Sequence, residues 1–297
     1  MNPRQMAASR KEFESARNRA AIEDILGQLR GAPTDLLPFE DVRQKLRLSS
    51  RSYRGMQEVP LEQIIGSVGR YREFTRNFLP RSPVKRERWM RIDQLATETG
   101  MPPVELYKVG DSFFVLDGHH RISVARQAKS HTIEAHVREY QTSVPLEPDT
   151  TPDDLLIKAE YREFLDRTGL DKSRPEQRIT FTLPGSYQEL ECQIALYRDA
   201  LSQIDGEPFG YQKAAAYWYD MIYTSVVQII QQRDMLKDLP HRTEADLFVW
   251  VVNHQKELSE ASGSTVPMAA ASDHVSTEHR PRRPRRFLRA LKKRLSG

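Results

Sequence analysis

Two histidines and an arginine follow a glycine in the segment SFFVLDGHHRISVARQA, residues 112 to 128. The apolar run Phe113 to Leu116 predicts a short buried strand, and the small residues after it predict a closely packed helix. The first N–H groups of such a helix lack partners inside the helix, and its dipole favours an anion. Arginine adds a forked donor that suits phosphate oxygens, and histidine can donate hydrogen bonds or accept a proton. The predicted phosphate-binding residues are Gly118, His119, His120 and Arg121.

The same residues also allow a purely structural interpretation. Asp117 would cap the helix, Arg121 would pair with a surface acid, and the histidines would serve as packing groups. The residue types and their spacing do not decide between this interpretation and phosphate binding. The structural elements around the turn must therefore decide between the two interpretations.

The elements around the turn predict an α+β domain. Two extended runs, residues 104–109 and 112–116, are separated only by Gly110-Asp111, which is a two-residue hairpin signal. A helix follows over residues 119–128, and residues 132–137 alternate polar and apolar positions as a half-buried strand does. Mixed strands and helices of this kind form a small mixed sheet rather than a helical bundle.

The second half of the chain predicts a mainly helical domain. Ser186 and Glu189 match a capping box before a long apolar stripe, and Thr243 reads as the N-cap of a later helix. Residues 179–183 predict one isolated strand. Residues 259–278 are rich in Ala, Ser, Thr and Gly without periodicity, which predicts a disordered linker.

These patterns divide the chain into four predicted parts. The parts are an N-terminal helical extension (1–50), the α+β domain (51–145), a mainly helical domain (151–258), and a disordered linker with a basic tail (259–297).

The segment VPLEQI and the segment RIDQLATETGMPPVELYKVGDSFFVLDGHHRISVARQAKSHTIEAHV together resemble the N-terminal domain of the ParB and sulfiredoxin superfamily. The resemblance covers roughly residues 57 to 140 and matches in the order of strand, helix, hairpin, glycine turn and final strand. It implies that Gly118 to Arg121 contact the phosphates of a nucleotide, either CTP or ATP/ADP, with Mg²⁺ as a possible companion ion.

The Asp-Gly-His-His-Arg form of the turn departs from the two best-known branches of the superfamily. ParB proteins that bind CTP have Gly-Glu-Arg-Arg there, and sulfiredoxins have a reactive cysteine where this chain has His119. Sulfinic acid reduction is therefore not expected. The turn is closer to the free-serine kinase branch, and this likeness implies Asp117 as a candidate base for phosphoryl transfer and Glu62 as a weaker one.

The chain after residue 150 resembles a bacterial domain of unknown function that follows ParB-like modules. The residues that carry this resemblance lie in YWYDMIYTSVVQII and PHRTEADLFVW. Trp218 is expected in the core, and Asp220 and Tyr223 are candidates to face a partner. That domain has no assigned chemistry, so the resemblance implies a regulatory or partner-binding module.

A basic tail dominates the charge of the chain. Residues 280 to 294 carry nine arginines and lysines and no acid, whereas the whole chain has a net charge of +4. The expected anion-contacting residues are Arg282, Arg283, Arg285, Arg286, Lys292 and Lys293. Their cations could bind DNA, or bind an anionic membrane through an amphipathic helix, or remain solvated. Only DNA binding agrees with the ParB resemblance.

Composition sets the remaining expectations. No apolar run approaches the roughly 18 residues of a membrane span and no secretory signal opens the chain, so we expect a cytoplasmic protein. The lone Cys192 cannot form an intramolecular disulfide, and the histidine spacing predicts no metal site.

Three functions follow as hypotheses. The first is a ParB-like protein that binds a nucleotide or a phosphorylated small molecule, with or without association with DNA. The second is a small-molecule kinase that uses Asp117. The third is a scaffold that associates with DNA or a membrane surface through its basic tail.

Overall fold

A computed structural model describes residues 3–31, 33–83, 86–98, 100–239 and 241–279. The chain separates into two compact units, residues 1–162 and 163–297. The predicted N-terminal extension belongs to the first unit, because its short strand joins the sheet described next.

The described part of the first unit contains a six-stranded mixed sheet, which confirms the α+β class. The strands are β1 (Leu37–Pro38), β2 (Arg51–Pro60), β3 (Ile64–Ser67), β4 (Val104–Val109), β5 (Ser112–Asp117) and β6 (Thr132–Tyr140). Their spatial order is β1-β3-β5-β4-β6-β2. The predicted hairpin is present as the antiparallel pair β4 and β5, and its turn is made by Gly110, which has a φ of +58°.

Two strands of this sheet run parallel and end at the same edge. β3 pairs with β5, and Ser67 at the end of β3 lies beside Val115 near the end of β5. The loop that follows β3 and the helix that follows β5 therefore emerge next to each other. A 3-10 turn over Leu61–Gln63 leads from β2 into β3.

The helices of the first unit cover the sheet. They are α1 (Pro3–Arg30), α2 (Phe39–Lys45), α3 (Arg86–Glu98) and α4 (His119–Gln127), and α5 (Asp154–Thr168) begins in this unit and ends in the second. Trp89 of α3 is fully buried against the Phe13 ring of α1, at 5.7 Å between ring centroids. The Trp89 indole N–H donates to Ser123 of α4 at 3.0 Å, so this buried indole also has its hydrogen bond.

The second unit is mainly helical, as predicted. Its helices are α6 (Leu170–Ser173), α7 (Ser186–Asp205), α8 (Tyr211–Trp218), α9 (Thr224–Gln232), α10 (Glu244–Ser262) and α11 (Met268–His279). A π-helical turn over Tyr219–Tyr223 joins α8 to α9. Thr243 is confirmed as the N-cap of α10, where it forms a capping box with Asp246. Trp218 is buried, as predicted, against the rings of Tyr223 and Phe248.

The structure contradicts two residue predictions in this unit. Ser186 does not cap α7, because the N-cap is Gly185 and no side chain caps the helix. Tyr223 does not face a partner, because it is only 4% exposed.

Two segment predictions in this unit were also wrong. The isolated strand over residues 179–183 is irregular backbone, because Thr182 bonds to Asp246 through its N–H at 3.2 Å and its hydroxyl at 2.9 Å instead of to another strand. Residues 259–278 are not a disordered linker, because α10 continues to Ser262 and α11 begins at Met268.

The helix α11 forms because its apolar residues recur one turn apart. Ala271 and Val275 are buried, and Ser272 beside them donates to the Met268 carbonyl at 2.8 Å. The prediction of a disordered linker rested on composition and overlooked this spacing. The predicted basic tail lies outside the described residues.

Among the described residues, the helices are all too short or too polar to cross a lipid bilayer.

Candidate functional site

The turn between β5 and α4 requires a glycine. Gly118 has a φ of +106°, and a Cβ there would lie 2.5 Å from Cγ1 of Val104. A side chain would therefore be strained by its backbone conformation and would also clash. No side chain caps α4 at Gly118, so Asp117 is not the cap that the structural interpretation expected. The first turn of α4 keeps the electrostatic character that attracts an anion.

His119 is the first residue of α4, and it is held as a neutral ring. Only 4% of the residue is exposed, its Nε2 lies 2.6 Å from Oγ of Ser67, and its ring stacks on Phe74 at 5.9 Å. Burial, together with the positive charge of Arg70, lowers the pKa of His119 to about 4. At neutral pH the imidazole is therefore uncharged, and it can donate or accept a hydrogen bond but does not attract an anion as a cation would.

His120 occupies the same apolar environment. It is 4% exposed, and its ring meets the Phe74 ring edge to face, with 5.2 Å between centroids. The Phe74 side chain thus packs against both histidines. This packing agrees with the structural interpretation of the two rings.

The Arg121 side chain is hydrogen-bonded to the loop that precedes β4. Its guanidinium donates to the carbonyl oxygens of Pro102, at 3.0 Å, and Pro103, at 2.5 Å. It also forms a salt bridge with the Asp117 carboxylate, one helical turn back. The Asp117 side chain is 60% exposed, whereas that of Arg121 is 15% exposed, so the carboxylate is the accessible partner of the pair.

The predicted arrangement of side chains needs correction. The two imidazoles and the guanidinium do not converge on one ligand position, because the imidazoles pack on Phe74 while the guanidinium points to the loop carbonyls. Burial away from water favours neutral imidazoles, and a buried guanidinium needs acceptors, so each side chain takes the environment that suits it. What the turn offers an anion is backbone N–H groups and nearby positive charge.

Sequence reasoning missed the contribution of β3 and the loop after it. Ser67 holds His119, and the backbone N–H of Arg70 donates to the same Ser67 hydroxyl at 3.3 Å. The Arg70 side chain is 39% exposed and is close enough to lower the pKa of His119. The signal was the apolar run Ile64-Ile65-Gly66, which fits a short buried strand, but its pairing with β5 is not local information.

Glu62 does not belong to this site. It lies in a cleft of about 770 Å³ whose walls come from α1, the 3-10 turn and the C-terminal end of α4, where Arg126 is located. The two ends of a nine-residue helix are separated by about 12 Å, at roughly 1.5 Å per residue. The structure therefore separates Glu62 from Asp117, and a joint role of the two carboxylates as bases at one site is not supported.

The Arg126 side chain lines that cleft and is bonded to backbone carbonyl groups. Its guanidinium donates to the carbonyl oxygens of Leu61, at 2.5 Å, and Ile64, at 3.0 Å, and lies 5.0 Å above the Phe78 ring. Burial lowers the pKa of Arg126 to about 10, which leaves it charged at neutral pH. Within the described residues, no three His, Cys, Asp or Glu side chains are placed to hold a metal ion together.

Comparisons with known proteins gave structural likenesses only. No family model matches the chain, and no curated protein matches it. Among solved structures, it is similar to sulfiredoxin from Arabidopsis thaliana, with 18% identity over 28% of this chain and 84% of that one, at a TM-score of 0.23.

The chain is also similar to two structures of the pNOB8-like ParB N-domain, each at 11% identity. One covers 72% of this chain and 80% of the other, at a TM-score of 0.22. The second is the C2221 form, which covers 84% of this chain and 100% of the other, at a TM-score of 0.21. These identities and TM-scores indicate a likeness without assigning the chain to a family.

Proposed function

We propose that the first unit binds a phosphate-bearing ligand, and a nucleotide in particular, at the N-terminus of α4. The observation that carries the proposal is that α4 begins at a left-handed glycine with no side-chain cap. Backbone N–H groups at such a start, together with the helix dipole, bind phosphate without the help of a specific side chain.

Two arginines supply positive charge beside this helix start. Arg70 approaches from the loop after β3, and its charge acts on His119, the first residue of α4. Arg121 lies in the first turn of α4 and is bonded to Asp117. A phosphate group can displace the exposed carboxylate of Asp117 and accept the same guanidinium N–H groups. The released carboxylate of Asp117 would then coordinate the Mg²⁺ that binds with the nucleotide, because Mg²⁺ prefers oxygen ligands.

The neutral His119 fits this arrangement as a positioning residue. When the Ser67 hydroxyl donates to Nε2, the ring proton stays on Nδ1, and the imidazole is oriented without carrying a charge. A bound anion would favour the charged imidazole and raise the pKa of His119. This coupling gives a readout of ligand binding that is separate from the heat of binding.

Calorimetric titration tests the proposal. CTP, ATP and ADP, each with Mg²⁺, would be titrated into the full chain and into the variants Arg70→Ala and Arg121→Ala. We expect at least one nucleotide to bind, and each arginine variant to bind it roughly ten- to a hundredfold more weakly, since a charged hydrogen bond contributes about 1.5 to 3 kcal/mol.

The matched control is Arg54→Ala. Arg54 lies on β2 and pairs with Glu139 at 2.6 Å, in a surface salt bridge within the same unit. This variant should bind nucleotide as the wild type does. Absence of heat with all three nucleotides, or equal losses in all three variants, would contradict the proposal.

A second candidate function is phosphoryl transfer to a small hydroxyl compound. It is favoured by the exposed Asp117 carboxylate at the end of β5, next to the start of α4. Asp117 would take the proton of the hydroxyl, the resulting oxygen would attack the terminal phosphorus, and the bond to the leaving phosphate would break.

This second candidate has its own test. Incubation with ATP or ADP and a panel of hydroxyl compounds should give a phosphorylated product with the wild type. The Asp117→Asn variant should lose the product while it still binds the nucleotide. If no compound is phosphorylated although the nucleotide binds, the site is a binding site without this activity.

A further inference from the structure

The helix α1 has two apolar faces, and only one of them is buried. Phe13, Ala16 and Ala20 are at most 1% exposed, and Phe13 packs on Trp89 of α3. At 100° per residue, the side chains of Ile22 and Leu29 lie on the opposite face of the helix from this buried set. The second face is therefore directed to solvent.

The exposed stripe consists of Ile22, Ile25, Leu26 and Leu29, which are 56%, 57%, 42% and 78% exposed. The spacing of three, one and three residues is that of a helix face built to pack against another helix. Single exposed apolar residues are common on protein surfaces, but a contiguous stripe over two turns marks an interaction surface. Covering it would remove apolar area from water, which is favourable at about 25 cal/mol per Å².

We propose that this stripe packs against the same stripe of a second copy of the chain, with the two α1 helices antiparallel. The spacing is symmetric about the midpoint between Ile25 and Leu26. A two-fold axis at that midpoint places Ile22 opposite the partner subunit's Leu29, and Ile25 opposite the partner subunit's Leu26. A surface that is complementary to itself in this way is what a two-fold dimer requires.

The charges beside the stripe favour the antiparallel arrangement. Glu23 and Arg30 lie on the same flank of α1, seven residues apart, so they do not meet within one helix. Antiparallel pairing brings Glu23 close to the partner subunit's Arg30, and the symmetry repeats this pair. Parallel pairing would instead place this flank on opposite sides of the interface in the two copies, so Glu23 and the partner subunit's Arg30 would not meet.

The proposed contact between the two α1 helices is small, and its area determines the affinity that we expect for the dimer. Two helical turns from each copy bury less area than the roughly 800 Å² per partner of a standard stable interface. We therefore expect a weak dimer whose population rises with concentration. It is independent of nucleotide binding at α4, because the stripe contains no residue of that site.

Sedimentation velocity of the full chain, from micromolar to submillimolar concentration, tests this proposal. The wild type should shift from monomer toward dimer, and Ile25→Glu should remain monomeric with an unchanged circular dichroism spectrum. The matched control is Met56→Glu, since Met56 is 58% exposed on β2, away from α1. This control should dimerise as the wild type does. A wild type that stays monomeric, or a dimer that Ile25→Glu leaves intact, would overturn the proposal.

Two further experiments test the antiparallel register. A mixture of Ile22→Cys and Leu29→Cys chains, each in a Cys192→Ser background, should form a mixed disulfide-linked dimer on mild oxidation, because these two positions face each other only in the antiparallel register. Arg30→Glu should weaken the dimer, and Glu23→Arg combined with Arg30→Glu should restore it. Failure of both the crosslink and the restoration would overturn the antiparallel pairing.

Discussion

At the scale of single residues, the sequence predicted one cluster of binding residues at Gly118, and the structure divides these residues into two groups. The histidines pack around Phe74, whereas the proposed phosphate binding rests on the backbone of the helix start and the nearby arginines. A buried neutral imidazole stabilises the folded protein only while it is uncharged. The pKa of His119, at about 4, therefore makes stability depend on pH.

We expect the first unit to lose stability as the pH falls from about 6.5 toward 4. In this window His119 binds a proton in the unfolded chain but not in the folded one, so the free energy of unfolding decreases with each step down in pH. The full effect is on the order of 3 kcal/mol, at about 1.4 kcal/mol per pKa unit. Chemical unfolding followed by hydrogen exchange of peptides from β5 and α4 would measure it.

The variant His119→Gln provides the comparison for this pH dependence. Glutamine can still hydrogen-bond to Ser67 but does not titrate, so its stability should change less between pH 6.5 and pH 4 than that of the wild type. Parallel curves for the two proteins would show that another group is responsible.

Gly118→Ala should destabilise the first unit by about 2 to 4 kcal/mol. The cost combines a strained positive φ with the contact between the new Cβ and Val104. Gly69→Ala is a suitable reference, because Gly69 also has a positive φ, +88°, but nothing lies within 4 Å of the added Cβ. Urea midpoints of both variants would be compared, and equal losses would argue against the clash with Val104.

At the scale of elements, local signals predicted the parts of the site, and distant contacts determined their arrangement. The Gly110 hairpin and the Gly118 turn were both visible in the sequence, because each depends on a glycine between neighbouring segments. The partners of Arg121, at Pro102 and Pro103, lie about nineteen residues away, and no local pattern encodes them. The sequence therefore predicted the residue types of the site. It did not predict their geometry, because that geometry depends on contacts between distant segments.

The difference between local patterns and distant contacts also explains why α11 was predicted to be disordered. Composition predicted disorder, but the buried residues Ala271 and Val275 hold the helix, and Nδ1 of His274 lies 2.7 Å from Nε2 of His254 on α10. Arg233, which follows α9, adds a hydrogen bond to Asp273 at 2.6 Å. Such tertiary contacts can order a segment whose composition alone does not predict a helix.

Hydrogen exchange should therefore show protection in α11. Amides of residues 268–279 are expected to exchange more slowly than those of a disordered chain, and Val275→Asp should remove the protection because it buries a charge. Ser264→Asp, at an exposed position before the helix, is the control and should leave the protection unchanged. Immediate exchange of this segment in the wild type would contradict the helix.

At the scale of the whole molecule, charge is distributed unevenly along the chain. The net charge is +4, and residues 280 to 294 contribute nine positive charges, so the remainder carries about five negative charges. Binding of this tail to DNA stays a prediction, and the alternative of an anionic membrane stays with it. Any binding to DNA by such a cluster should be strongly dependent on salt.

Deletion of residues 279–297 should abolish retention on DNA at low salt if the tail binds the polymer. The wild type should lose affinity steeply as the salt concentration rises, because each neutralised phosphate releases counterions. Fluorescence anisotropy with a short duplex would measure both effects, and anionic vesicles would test the membrane alternative. Equal DNA binding by the full and shortened chains would exclude the tail as the DNA-binding element.

The central claim is that the first turn of α4 binds phosphate, and the most direct measurement follows its backbone amides. Nucleotide with Mg²⁺ would be titrated into ¹⁵N-labelled protein while the amide signals of His119, His120 and Arg121 are recorded. We predict that these signals move most and saturate together, and that the pKa of His119 rises in the complex. If these amides stay unmoved while signals elsewhere shift and saturate, the ligand binds at another place and the claim is wrong.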